Sequence, residues 1–96
     1  MPTDHRDRFV ADVVVTLKPV VNDPQGDVVR EALHTLGFAE VAGVRVGRYL
    51  AVEVTADRAT ARARVDAMCQ QLLCNGVIEE YRFTLRPADR SVPAPP

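Results

Sequence analysis

The 96-residue sequence predicts an α+β domain of ferredoxin-like outline, with helices packed on one face of a mainly antiparallel sheet. Three observations lead to that class. Apolar residues alternate with a period of two in three separated stretches, the stretches between them repeat with a helical period, and capping residues or glycines punctuate the joins. The resulting order is strand, helix, long bent strand, helix, strand. A chain of this length makes one domain with a modest core.

The first strand is read over Phe9 to Lys18. Phe9, Ala11, Val13, Val15 and Leu17 share one face, and Asp12, Thr16 and Lys18 share the other. Val10 and Val14 on that second face imply that it, too, is partly covered. A helix follows from Pro24 to about Leu36. Asp23 is a good N-cap, and Pro24 suits the first helical position because its missing N–H would have no partner there. Val29, Ala32, Leu33 and Leu36 form an apolar stripe, and Gly37 supplies a left-handed cap over which Phe38 can fold back.

From Val44 the apolar residues keep one parity through Val46, Leu50, Val52 and Val54. Val46-Gly47 lacks the residues of a two-residue hairpin turn, and a bulge at Gly47 would reverse the parity of the residues after it. The sequence therefore predicts one long strand bent at Gly47, spanning roughly 35 Å, with part of its length serving another chain. Asp57 caps a second helix that runs to about Leu73, with Ala61, Val65, Met68, Cys69 and Leu72 as its stripe and Asn75-Gly76 as its end. Val77 to Arg86 is the last strand, with Val77, Tyr81, Phe83 and Leu85 on one face. Residues 1–8 read as a flexible leader, 9–86 as the folded domain, and 87–96, with four prolines, as a disordered tail.

Composition removes several classes of function. A net charge of −1 gives no basic footprint for nucleic acid. No apolar run reaches the roughly 20 residues that span a bilayer, and the polar leader lacks the hydrophobic core of a secretory signal. The expected compartment is the cytoplasm. Cys69 and Cys74 stand five apart, which in a regular helix places them on different faces as small, reduced, packed residues. No His or Cys neighbour completes a metal site.

A search for convergent chemistry is empty. His5 and His34 are isolated, Ser91 has no base, and Glu79 and Glu80 point to opposite faces of a strand. No catalytic residue and no metal ligand is assigned. Three local features remain. Asp23-Pro24-Gln25-Gly26 opens a helix, and Gly26 permits close approach of a neighbouring backbone or ligand. In Arg45, Gly47, Arg48 and Tyr49, Arg48 interrupts an apolar parity and should therefore meet a specific partner. Lys18-Pro19 ends the first strand.

Set in order, Val15-Thr16-Leu17-Lys18-Pro19, Asp23-Pro24-Gln25-Gly26, Ala32-Leu33-His34, Leu36-Gly37-Phe38, Val44-Arg45-Val46-Gly47-Arg48-Tyr49, and Met68-Cys69 with Leu72-Leu73 and Asn75 closely resemble the PurS family. These are the small subunits of phosphoribosylformylglycinamidine (FGAM) synthase. Gly76 departs from the proline common at that position, so the helix exit there can differ.

The resemblance implies a non-catalytic assembly subunit of a purine-biosynthetic amidotransferase. Such a subunit forms a homodimer or dimer of dimers and bridges the glutaminase subunit PurQ and the large synthetase subunit PurL, so that ammonia passes between their sites. It binds no cofactor itself, ATP and Mg being used by PurL. Lys18, Pro19, Asp23, Pro24, Gln25, Gly26, Arg45, Gly47, Arg48, Tyr49 and Asn75 are read as subunit-interface residues, from the length of the predicted long strand and the placement of Gly47. A dimeric ACT-like domain that senses a small amino acid shares the predicted fold and is the rival reading. An RNA-binding module is disfavoured for want of a basic face and exposed aromatics on its central strands.

Overall fold

The computed structural model describes residues 7–88; of the leader expected at 1–8 and the tail expected at 87–96, residues 1–6 and 89–96 lie outside them. Strand β1 runs over Asp7–Leu17, helix α1 over Pro24–Thr35, strand β2 over Gly47–Ala56, helix α2 over Arg58–Met68 with a π-helical turn at Cys69–Leu73, and strand β3 over Glu79–Pro87. The expected α+β order holds. The leader boundary shifts, because Asp7 and Arg8 already pair in the sheet, opposite Ala56 and Thr55. At the other end Pro87 pairs opposite Phe9.

β1 is the central strand of an antiparallel sheet in the order β2-β1-β3, with Val13 opposite Leu50 on one side and Phe83 on the other. Its odd-numbered residues Phe9, Ala11, Val13 and Val15 are buried against Ala61, Val65 and Cys69 of α2. Burial of one such valine contributes about 1.5–3 kcal/mol. Leu50, Val52 and Val54 of β2 and Tyr81 and Phe83 of β3 complete this layer. α2 is fastened by aromatic neighbours as well: the guanidinium of Arg58 lies 5.6 Å from the Phe9 ring centroid, and that of Arg62 lies 5.7 Å from the Phe83 centroid.

The two connections differ in kind. β2 ends opposite Asp7 and β3 begins opposite Leu17, so the segment carrying α2 crosses the full length of the sheet. By contrast, β1 ends and β2 begins at the same end of the sheet, Gly47 standing opposite Thr16. The excursion carrying α1 therefore leaves and returns at that one end. Its caps are as the sequence predicts. Asp23 Oδ1 accepts from the Gly26 N–H. Gly37 takes a positive φ, and the Gly37 and Phe38 N–H groups donate to His34 and Leu33 carbonyls in a Schellman motif. The apolar stripe, however, finds little cover among the described residues. Leu36 is 72% exposed, Val29 is exposed, and Gly26 is the sole buried residue of α1. α1 is an arm projecting from the sheet rather than a second helix of its cover.

Four further expectations are corrected. The long strand is not bent at Gly47; it starts there. Residues 44–46 lie outside the sheet: the β1–β2 ladder ends with Thr16 opposite Gly47, and the Val46 N–H is taken by Asp23 Oδ2 at 2.7 Å. The apolar stripe of α2 does not continue to Leu72, which is 82% exposed. The π-helical turn, closed by the Cys74 N–H on the Cys69 carbonyl, inserts a residue and rotates the residues beyond it. For the same reason Cys69 and Cys74 do not lie on different faces: both are buried free thiols in the one core cluster. Val77 lies in the turn before β3 and is exposed, so β3 starts two residues later than its alternation implies.

Candidate functional site

The residues singled out in the sequence converge on the end of the sheet where α1 leaves and β2 begins. Asp23 is at its centre and is 4% exposed. Its carboxylate receives the Gly26 N–H at 2.9 Å and the Val46 N–H at 2.7 Å, one from the first turn of α1 and the other from the strand-entry segment. The Val46 N–H, then that of Gly26, holds this carboxyl below its usual range. Gly26 is required by packing: a Cβ there would collide with the Val44 carbonyl oxygen. Gly47 is required for the same reason, since its Cβ would run into the Val15 carbonyl. Arg45 closes the joint from outside, its guanidinium donating to the Lys18 carbonyl at 2.8 Å and to the Val21 carbonyl at 2.9 Å.

Arg48 does meet a specific partner. It lies on the α2-facing side of β2, opposite Val15, where its fork grips the Glu79 carboxylate at 2.7 and 3.0 Å and donates to the Leu73 carbonyl. That pairing lowers the proton affinity of Glu79. Asn75 continues the same corner. Its N–H donates to Glu79 Oε1 at 2.8 Å, and its own side chain accepts from the Val77 N–H, closing the turn into β3. Here Gly76, which departs from the family's usual proline, has open space around it.

Tyr49 faces the other way, onto the sheet surface that α2 does not cover, where its hydroxyl donates to Asp12. Arg86 Nε donates to the same carboxylate at 2.8 Å, and this contact above all depresses the Asp12 proton affinity. Tyr49 and Asp12 line an open groove of about 530 Å³ with Val14, Thr16, Arg82 and Thr84. Pro19, Pro24 and Gln25 are exposed. Sequence reasoning missed Asp12, Arg86 and Glu79 as organising groups. The polar residue in the middle of β1 was a visible sign, but its partner is 74 residues away and becomes adjacent only through the register of β3.

The geometry is that of a joint and an exposed arm. The only His ring among these motifs, His34, donates from Nε2 to the Val41 carbonyl at 2.7 Å, and no three His, Cys, Asp or Glu side chains among the described residues are arranged to hold a metal ion. The profile of a known family, PurS: Phosphoribosylformylglycinamidine (FGAM) synthase, matches residues 10–87. This chain belongs to the PurS family.

Individual PurS relatives agree. The chain is 43% identical over 81 residues to the phosphoribosylformylglycinamidine synthase subunit PurS of Synechocystis, covering 83% of this chain and 81% of the relative. With that of Bacillus subtilis it is 42% identical over 75 residues, covering 78% and 89%. Among solved structures it is similar to a chain of PurLQS from Thermotoga maritima, with a TM-score of 0.72 and 30% identity over 90% of this chain and 100% of that one. All the PurS motif residues named above fall inside the matched span.

Proposed function

We propose that this chain is the small, non-catalytic assembly subunit of FGAM synthase in purine biosynthesis. In this reading it bridges the glutaminase and ATP-dependent synthetase subunits, PurQ and PurL, so that ammonia released at one site reaches the other. The carrying observation is the likeness to a complete chain of the Thermotoga maritima PurLQS assembly. The exposed apolar residues of the arm, Val28, Leu36 and the nearby Phe38, support it, since an apolar surface of this kind invites a protein partner.

The chain acts in the cytoplasm as a homodimer or dimer of dimers. β2 is an edge strand, and edge strands readily pair with a second copy. The exposed Pro19, Pro24 and Gln25 supply direct contacts to the larger subunits, while Asp23, Gly26, Arg45, Gly47, Arg48, Tyr49 and Asn75 hold those contacts in place. It carries no catalytic group and binds no cofactor; ATP and Mg act on the synthetase subunit. Mixing the purified chain with a PurL and a PurQ subunit tests this. Co-elution of all three with glutamine-dependent FGAM formation is expected, and equal activity with the chain left out contradicts it.

A further inference from the structure

The exposed apolar residues of the arm, Val28, Val29 and Leu36, all lie on α1 or at its end, yet α1 gives up only Gly26 to burial in the chain. The direction in which that face points must therefore be set at the arm's root. There, one side chain bonds to both sides. Asp23 accepts from Gly26 in the first turn of α1 and from Val46 immediately before β2. Arg45 ties the same entry segment to the carbonyls of Lys18 and Val21, just after β1. The Gly26 backbone then lies so close to the Val44 carbonyl that no side chain fits between them.

We infer that Asp23 is a positioning residue that fixes the angle between the α1 arm and the sheet, and that partner docking depends on this carboxylate although the folding of the sheet does not. An aspartate can serve two backbone donors on opposite sides at once. An asparagine has one acceptor oxygen and can serve one, which makes Asp23→Asn a graded variant and Asp23→Ala the complete one. The docking half of the inference rests on the assembly reading; the geometric half does not.

The experiment uses the full chain, spin-labelled at Glu31→Cys on α1 and Thr55→Cys on β2 and diluted with unlabelled chain so that only distances within one protomer are read. Cys69 and Cys74 are buried and leave labelling to the introduced thiols. The parent chain should give one narrow distance distribution, Asp23→Asn a broader one and Asp23→Ala the broadest. Amide exchange in β1 and α2 should stay at the parent rate while that of the first turn of α1 rises. Affinity for the PurL and PurQ pair should fall at least tenfold in Asp23→Ala.

An unchanged distribution in Asp23→Ala overturns the inference. So does loss of β1 and α2 protection in step with α1, which would make Asp23 a residue of the whole fold. If Asp23→Ala does not fold, Asp23→Asn decides by the same two readings. A parent chain that recovers no partner overturns the assembly reading alone, since the label distances still judge the joint.

Discussion

Adding one methyl group separates the glycines of this chain into two kinds. At Gly26 and Gly47 it meets a backbone carbonyl that cannot swing away, whereas at Gly43 and Gly76 it meets nothing within 4 Å. Gly26→Ala and Gly47→Ala should each cost about 1–3 kcal/mol, as overpacked sites do, and Gly43→Ala should stay within about 0.5 kcal/mol. Thermal denaturation reads the difference, at roughly 4–8 °C per kcal/mol for a domain of this size. The importance of Gly26 was legible in the sequence as permission for a close approach. The group that approaches it, Val44 of the same chain, was not, because that contact depends on where the excursion returns. Arg48 is a similar case: its break in an apolar parity announced a partner, and Glu79 is that partner. Arg48→Ala should lower the melting temperature by a few degrees at most, because the Arg48 side chain is half-exposed.

At the scale of elements, the π-helical turn after α2 governs which side chains are buried. A regular helix would turn Leu72 inward. Here the longer turn exposes Leu72 and keeps both Cys69 and Cys74 in the core. Strand and helix types were readable because their periods differ by nearly a factor of two. The π-helical turn was not, since a single inserted residue leaves the composition of a helix unchanged.

Burial raises the proton affinity of both thiols and shields them. At pH 8 the native chain should react with a thiol-specific disulfide reagent many-fold more slowly than the chain in denaturant, where both cysteines titrate; equal rates would show that the turn is open. Val65, fully buried beneath the middle of α2, fixes that helix to the sheet, and Val65→Ala should cost about 2–3 kcal/mol for its lost methyl groups and the cavity left behind.

For the molecule as a whole, the acid side of the stability profile is set by its paired carboxylates. Asp12, Asp23, Asp57 and Glu79 all have lowered proton affinity in the folded chain, through Arg86, the Val46 N–H, the Thr60 N–H and Arg48 respectively. As pH falls, the unfolded chain takes up these protons first, which favours unfolding. Their contribution is complete above the ordinary carboxylate range near pH 4 and is lost as the pH drops through the lower folded values. Asp12→Asn should therefore flatten the acid limb of a melting-temperature profile below about pH 4, while the parent chain stays steep.

The outline of the whole molecule was legible from alternating residues and caps, and the family from motifs scattered along it. The projection of α1 was not. An apolar stripe states that a helix must be covered, without stating by which chain. In this structure the sheet covers itself with α2 alone, and the arm held by Asp23 presents its apolar face outward. An outward apolar face of this kind is what the proposed assembly role requires.

The most direct test is reconstitution of glutamine-dependent FGAM formation from PurL and PurQ subunits with and without the chain, followed by size-exclusion chromatography of the mixtures. The chain should bring PurL and PurQ into one peak and raise glutamine-dependent activity well above that of the two alone, while ammonia-dependent activity of PurL is nearly unchanged. Equal glutamine-dependent activity without it, with PurL and PurQ already co-eluting, would contradict an assembly role.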